Sequence, residues 1–164
     1  NAILVIGKTE GHLNQSVFAR EIFLEKKGPP PEINLFNEKN NGLAILKLIK
    51  ENLVESCHDV SLGGILVAIS KMCLKGNKGV KINKPNYLLN IHEYLFSEDQ
   101  GRYIIEVNIN NIKKVISILS DNSVHYDELG LIIRDKIEFF DKSNISIEDL
   151  KKNNKKWLKD YMVN

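Results

Sequence analysis

The sequence predicts an α+β fold, a mixed β-sheet packed with helices. Three observations carry this. Short apolar or β-branched runs, Ala2–Ile6, Val80–Ile82 and Arg102–Asn108, are bounded by glycine or polar residues, as strands are. Between them lie stretches with apolar residues at helical spacing, notably 37–53 and 110–120. The last two strand-like segments, Val124–Ile133 and Lys136–Phe140, are separated only by Arg134-Asp135. That link reads as a tight turn, so a hairpin joins a sheet whose other strands are connected by helices, which makes the sheet mixed.

Each element has its own signal. Ala2–Ile6 is a continuous apolar run closed by Gly7, a buried strand. The polar residues 7–15 form a loop, and Ser16 caps a helix from Val17 to about Lys26, with Phe18, Ile22 and Phe23 as its apolar stripe. Gly28-Pro29-Pro30-Pro31 ends it. Residues 37–52 predict a second helix, with Leu43, Ile45, Leu46, Leu48, Ile49 and the following Leu53 as a moderately wide buried face. Ser56–Val60 reads as a short strand. The helix from about Gly63 to Leu74 is apolar nearly all round and should be covered on more than one side. Gly76 and Gly79 close it before the strand Val80–Ile82. Residues 85–90 are connecting chain and Ile91–Phe96 a short helix. A helix over 110–120 presents Ile112, Val115, Ile116 and Leu119. A last helix opens at Ile145–Leu150, with Ser146 as cap and Glu148-Asp149 in its first turn, where negative charge is favoured. Trp157, Leu158, Tyr161 and Met162 predict that its end docks on the domain.

Composition narrows the function classes. A chain of 164 residues suits a single domain, and 43% apolar with 27% charged residues is an ordinary globular balance. A net charge of +2 supplies no drive towards nucleic acid or an acidic membrane, and 151–156 reads as a solvated lysine-rich face. Cys57 and Cys73 read as two core thiols and not a disulfide. No signal peptide and no run of membrane-spanning length is present, so a cytoplasmic location is expected. The chain starts at Asn1, directly in a strand, which predicts a fragment of a longer multidomain polypeptide.

The stretch that concentrates candidate chemistry is Ser56 to Met72. It places a polar turn with two glycines ahead of a buried helix. Free N–H groups at such a helix start attract anions, so Ser61, Gly63 and Gly64, together with His58 and Asp59, are candidate phosphate or nucleotide contacts, with Ser61 the expected cap. The alternative is that the glycines only let helix and sheet pack closely. His58 and Asp59 either orient one another or serve as a satisfied polar residue and a turn cap. The loop Lys8-Thr9-Glu10-Gly11-His12 either meets phosphate or is simply exposed; its spacing is not that of a P-loop. His12, His92 and His125 show no metal-ligand spacing.

His58-Asp59-Val60-Ser61-Leu62-Gly63-Gly64 and its apolar helix resemble the signature of C-terminal domains in the aminoimidazole-ribonucleotide-synthetase superfamily. Within it, the similarity is to the synthetase (large) subunits of phosphoribosylformylglycinamidine synthases. Gly7–Ser16, Gly28–Pro31, Asn41-Gly42, the segment Leu95-Phe96-Ser97-Glu98-Asp99-Gln100-Gly101-Arg102-Tyr103, and the ending Trp157–Met162 follow that family in order. Leu62 stands where the family has Asp, and Asn14 where it has Gly.

The resemblance implies the superfamily's C-terminal-domain fold, with partial ferredoxin-like character. It implies one C-terminal domain over 1–164. It implies part of an ATP-dependent ligase that turns formylglycinamide ribonucleotide and glutamine-derived ammonia into the amidine, in purine biosynthesis. ATP and Mg2+ would be bound mainly by domains outside this chain, and no catalytic or metal-binding residue is expected within it. Implied partners are the upstream domains, a glutaminase subunit and a small accessory subunit. The family's polypeptide is a duplication, and Glu98 and Gln100 are equivalent to a Glu-x-Gln that its first copy associates with substrate, whereas this sequence resembles the second copy, associated with an auxiliary nucleotide site and scaffold; the other reading pairs Glu98 with Arg102. A sister enzyme of the superfamily, or a non-catalytic nucleotide-binding or interaction module, are the alternatives.

Overall fold

The structure is a computed structural model that describes residues 1–85 and 89–163, the side chains of 157–159 and 163 excepted. The elements run β1 (Ala2–Ile6), α1 (Val17–Ile22), α2 (Leu35–Lys50), β2 (Ser56–Val60), α3 (Gly64–Gly76), β3 (Gly79–Ile82), α4 (Ile91–Phe96) and β4 (Arg102–Val107). A 3₁₀ turn (Ile109–Asn111), α5 (Ile112–Asp121), β5 (Tyr126–Ile133), β6 (Lys136–Glu138), β7 (Asn144–Ser146) and α6 (Ile147–Val163) follow. The strands form one seven-stranded sheet in the order β2-β4-β1-β5-β3-β6-β7. The β3–β6 pair is parallel and the other pairs are antiparallel, so the sheet is mixed, as expected.

β1 explains the layering. All five of its residues are buried, which for alternating side chains requires cover on both faces. Ile3 and Val5 join Ile65, Ile69, Tyr94 and Leu95, so α3 and α4 cover one face. Leu4 and Ile6 join Ala44, Leu48, Val115 and Leu119, so α2 and α5 cover the other. Burying one such side chain is worth about 1.5–3 kcal/mol, and this central strand contributes to two cores at once.

Within the sheet, β1-α2-β2 and β4-α5-β5 form a βαββαβ unit with strand order β2-β4-β1-β5, which is ferredoxin-like. The segment α3-β3-α4 is inserted between its halves, and β3, β6 and β7 extend the sheet beyond β5. The expected ferredoxin-like character therefore holds for four of the seven strands.

Several expectations need correction. β5 and β6 are not paired: β3 lies between them, with Val80 opposite both Ile132 and Ile137. The short link at 134–135 passes the first residue of β3, and a Cβ at Gly79 would collide with the Lys136 carbonyl there. The hairpin is instead β6–β7, so Ile145 is in a strand and the last helix starts at Ile147. Ser146 does cap it, its Oγ accepting from the Asp149 N–H at 3.0 Å. α1 stops at Ile22, because Leu24 turns to φ 56° and the Glu25 N–H folds back to the Ala19 carbonyl. Cys57 is exposed on the edge strand β2 and only Cys73 is buried, its thiol pushed up to about 11 by that burial and by nearby Glu106.

Two of the four residues expected to dock the end of α6 are not buried. Ile147 and Leu150 reach the core, but Tyr161 and Met162 are 69% and 74% exposed. The run 151–156 between them is hydrophilic and, past Lys151, exposed. The side chains of Trp157 and Leu158 lie outside the described residues, as do residues 86–88 of the expected connecting chain. Among the described residues no helix is long and apolar enough to cross a membrane.

Candidate functional site

The segment between α4 and β4 organises the candidate site. Arg102, the first residue of β4, is 1% exposed. A buried guanidinium needs acceptors for its fixed fork of donors. It donates through Nε to the Asp99 carbonyl (3.2 Å), through Nη1 to Thr9 Oγ1 (3.1 Å) and through Nη2 to the Ser97 carbonyl (2.7 Å). The Asp99 carboxylate lies 3.6 Å from Nη1. Burial lowers the Arg102 pKa from its ordinary value, and Asp99 opposes that.

Asp99 faces the loop after β1. Its Oδ2 accepts from the N–H groups of Glu10 (3.0 Å) and Gly11 (3.2 Å), and its Oδ1 from the His12 N–H (3.1 Å). Three consecutive amides thus wrap a carboxylate, the arrangement of a backbone anion nest. Glu98 does the same between two helix starts. Its Oε1 accepts from the Val17 N–H at the first residue of α1 and from the Gly63 N–H just ahead of α3, both at 2.8 Å. A carboxylate there is favoured by the helix dipoles and satisfies donors that would otherwise be orphaned.

The structure therefore brings Gly63, Gly64 and Glu98 together, in an arrangement absent from both readings of Glu98 in the sequence. Glu98 is hydrogen-bonded to Gly63, while the carboxylate beside Arg102 is that of Asp99. The residue ahead of α3 is Gly63, at φ 84°, with no side-chain cap. Ser61 is not that cap: it is exposed and its Oγ accepts the neighbouring Leu62 N–H at 2.6 Å. The Gly64 N–H donates to the Ser61 carbonyl. A Cβ on Gly64 would come within 2.6 Å of the Ser97 carbonyl oxygen, so this glycine lets α3 abut the end of α4.

Gln100 lies apart, on the wall of an open cleft of about 860 Å3. The cleft is bounded by the 8–14 loop, the proline run Pro29–Pro31, the start of α2 and Gln100. His12 Nε2 reaches the Pro29 carbonyl at 3.0 Å and holds the proline run over the loop. Five carboxylates line it, from Glu10, Glu32, Glu38, Glu93 and Asp99, against Lys8 and His12. Lys8 is itself engaged by Glu10 at 2.9 Å. Such walls repel a bare polyphosphate.

His58 and Asp59 are separate again, on edge strand β2. His58 Nδ1 lies 3.4 Å from the Asp59 carboxylate and 2.6 Å from its carbonyl oxygen, so the mutual orientation exists. His58 borders a second cavity of about 470 Å3, with Ile69, Met72 and Cys73. Among the described residues no three His, Cys, Asp or Glu side chains converge as a metal site. These residues do not by themselves fit Mg2+, nor ATP through the glycine turn, whose Gly63 and Gly64 N–H groups already have acceptors in the chain.

Sequence reasoning missed the roles of Asp99 and Thr9 around Arg102, and that of Asn41, whose amide bonds the Gly101 carbonyl at 2.9 Å. A usable signal was Asp99 three residues ahead of an arginine at a strand start.

The chain and its fold have known relatives. The chain is 60% identical, over all 164 residues, to phosphoribosylformylglycinamidine synthase subunit PurL of Pelagibacter ubique, and spans 22% of that protein. It is 34% identical over 162 residues to the PurL subunit of Rhodopseudomonas palustris strain HaA2, again 22% of its length. The fold resembles T. maritima PurL complexed with FGAR, with a TM-score of 0.71 and 22% identity, covering 91% of this chain and 27% of that one. The hydrogenase maturation protein HypE in complex with ATP shares the fold at a TM-score of 0.59 and 12% identity, covering 89% of this chain and 49% of the other. The family model described as AIR synthase related protein, C-terminal domain, matches residues 1–142. On that match and these relatives, the chain belongs to the AIR synthase related proteins, as their C-terminal domain.

Proposed function

We propose that residues 1–164 form a single C-terminal domain of the large subunit of a phosphoribosylformylglycinamidine synthase. The whole subunit is an ATP-dependent carbon–nitrogen ligase. It joins ammonia derived from glutamine to formylglycinamide ribonucleotide in purine biosynthesis, in the cytoplasm. The observation that carries this reading is 60% identity to a PurL subunit along the entire chain. Structures of T. maritima PurL complexed with ATP and of PurLQS from the same organism support ATP as cosubstrate and a complex with further subunits. In this reading those are a glutaminase and a small accessory subunit.

The role of this domain is chiefly scaffold. ATP and Mg2+ bind mainly to the rest of the subunit, because the nearest backbone donors here already serve Glu98 and Asp99. A phosphate contact at Ser61, Gly63 and Gly64 would require Glu98 to leave the Gly63 amide. Gln100 is the better placed of the two substrate candidates, since it lines the cleft while Glu98 is held between two helix starts.

The test is ADP formation by the full-length subunit with formylglycinamide ribonucleotide, ATP, magnesium and concentrated ammonia. The expected result is turnover that needs all four, reduced mainly through KM in Gln100→Ala. A folded full-length subunit that consumes no ATP with this substrate would overturn the ligase reading. It would favour the superfamily alternatives, a sister enzyme or a nucleotide-binding module.

A further inference from the structure

Helix α2 carries two apolar faces. Asn41, Ala44, Ile45 and Leu48 are buried against the sheet. Leu35, Phe36, Leu43, Leu46 and Ile49 are not, with 46 to 76% of each side chain exposed. At about 100° per residue these five fall in one sector about 140° wide, on the side away from the sheet. Single exposed apolar residues need no explanation, but a stripe of five along four turns marks a contact surface.

The charges on the stripe select its occupant. Lys39 and Lys50 lie within the same sector, with Lys47 just outside one border and Glu38 just outside the other, so the stripe and its rim are net positive. In an antiparallel pairing of two copies centred on Leu43, Lys39 of one would face Lys47 of the other; in a parallel pairing each lysine would face itself. A net-positive surface set against its own copy opposes association, which disfavours a second copy as occupant. The chain spans 22% of the PurL relatives it matches. The remainder of such a polypeptide is tethered to this domain at high effective concentration, which favours it over a free partner.

We infer that the Leu35–Ile49 stripe of α2 is the seat of a segment from the upstream part of the same polypeptide, one that presents an apolar ridge flanked by acidic side chains. The inference rests on the reading of this chain as a domain of a longer subunit.

The experiment uses the full-length subunit with p-benzoylphenylalanine in place of Leu46. On irradiation the expected product has monomer mass, and peptide mapping joins position 46 to a residue preceding this domain, with acidic neighbours. Lys39→Glu with Lys50→Glu, in the same background, lowers the yield several-fold, because both changes lie on exposed positions and alter the contact and not the core. A product of dimer mass, a cross-link to another subunit, or no cross-link in a folded subunit would overturn the inference. So would an unchanged yield in the lysine variant. The mass of the natural gene product separates the two levels: a product of 18.7 kDa would sink the domain reading itself, whereas a longer product without the intrachain cross-link sinks only the inference.

Discussion

Two carboxylate-bearing stretches flank the glycine turn, and they behave differently. Glu98-Asp99 sits at a junction where a buried arginine, two helix starts and a loop converge, and the two carboxylates accept five backbone N–H groups between them. His58-Asp59 sits on an edge strand, where the Asp59 side chain is 67% exposed and the pair touches chiefly itself. Both look equally chemical in a one-dimensional motif. The difference is what surrounds them. A carboxylate among unpaired amides is held by them and becomes part of the frame, whereas one at a sheet edge stays in water and contributes little to stability.

The largest loss is expected at Arg102. Arg102→Met should destabilise the domain by about 3–5 kcal/mol, since it leaves Asp99 buried without its cation and three acceptors without a donor. Urea denaturation of the 1–164 chain checks this. Glu98→Ala comes next, at about 1–3 kcal/mol, because the Val17 and Gly63 amides lose their common acceptor; Glu98→Gln, which keeps an acceptor oxygen, should cost less than half as much. His58→Ala and Asp59→Ala mark the small end, within about 0.5 kcal/mol in the same assay. A His58 or Asp59 variant that destabilised as much as Glu98→Ala would erase the distinction.

A pH series sharpens it further. Burial pushes Glu106 up, but hydrogen bonds from Asn1 and Ser56, with Lys78 nearby, outweigh that and hold its pKa below the ordinary glutamate value. A carboxyl depressed in the folded state contributes stability at neutral pH. That contribution is lost as pH falls from the ordinary glutamate range through the lower folded value. Wild type should therefore lose stability more steeply than Glu106→Gln below that range. Parallel acid profiles for the two would contradict the assignment.

How much of this was legible follows from which contacts are local. The apolar run Ala2–Ile6 and the helical period of α2 name their elements without help from the rest of the chain. The insertion of β3 between β5 and β6 was not legible, because it depends on Gly79 passing the Lys136 backbone nearly sixty residues away. The segment Glu98-Asp99-Gln100-Gly101-Arg102 stood out as a motif, yet its partners at Val17, Gly63 and the 10–12 loop come from three distant parts of the chain. Sequence spacing marked the residues; only the fold could assign Glu98 to Gly63 and Asp99 to Arg102. The second apolar face of α2 was visible in part, since Leu43, Leu46 and Ile49 read as core residues and lie outside.

Glu98 occupies the anion-attracting end of α3. The most direct measurement is amide hydrogen exchange at Val17 and Gly63, in wild type and in Glu98→Ala, with and without inorganic phosphate. Both amides should be protected in wild type, both should lose protection in the variant, and phosphate should change neither in wild type. A Gly63 amide that exchanges freely in wild type and becomes protected on adding phosphate would contradict it, and would make the glycine turn a phosphate site after all.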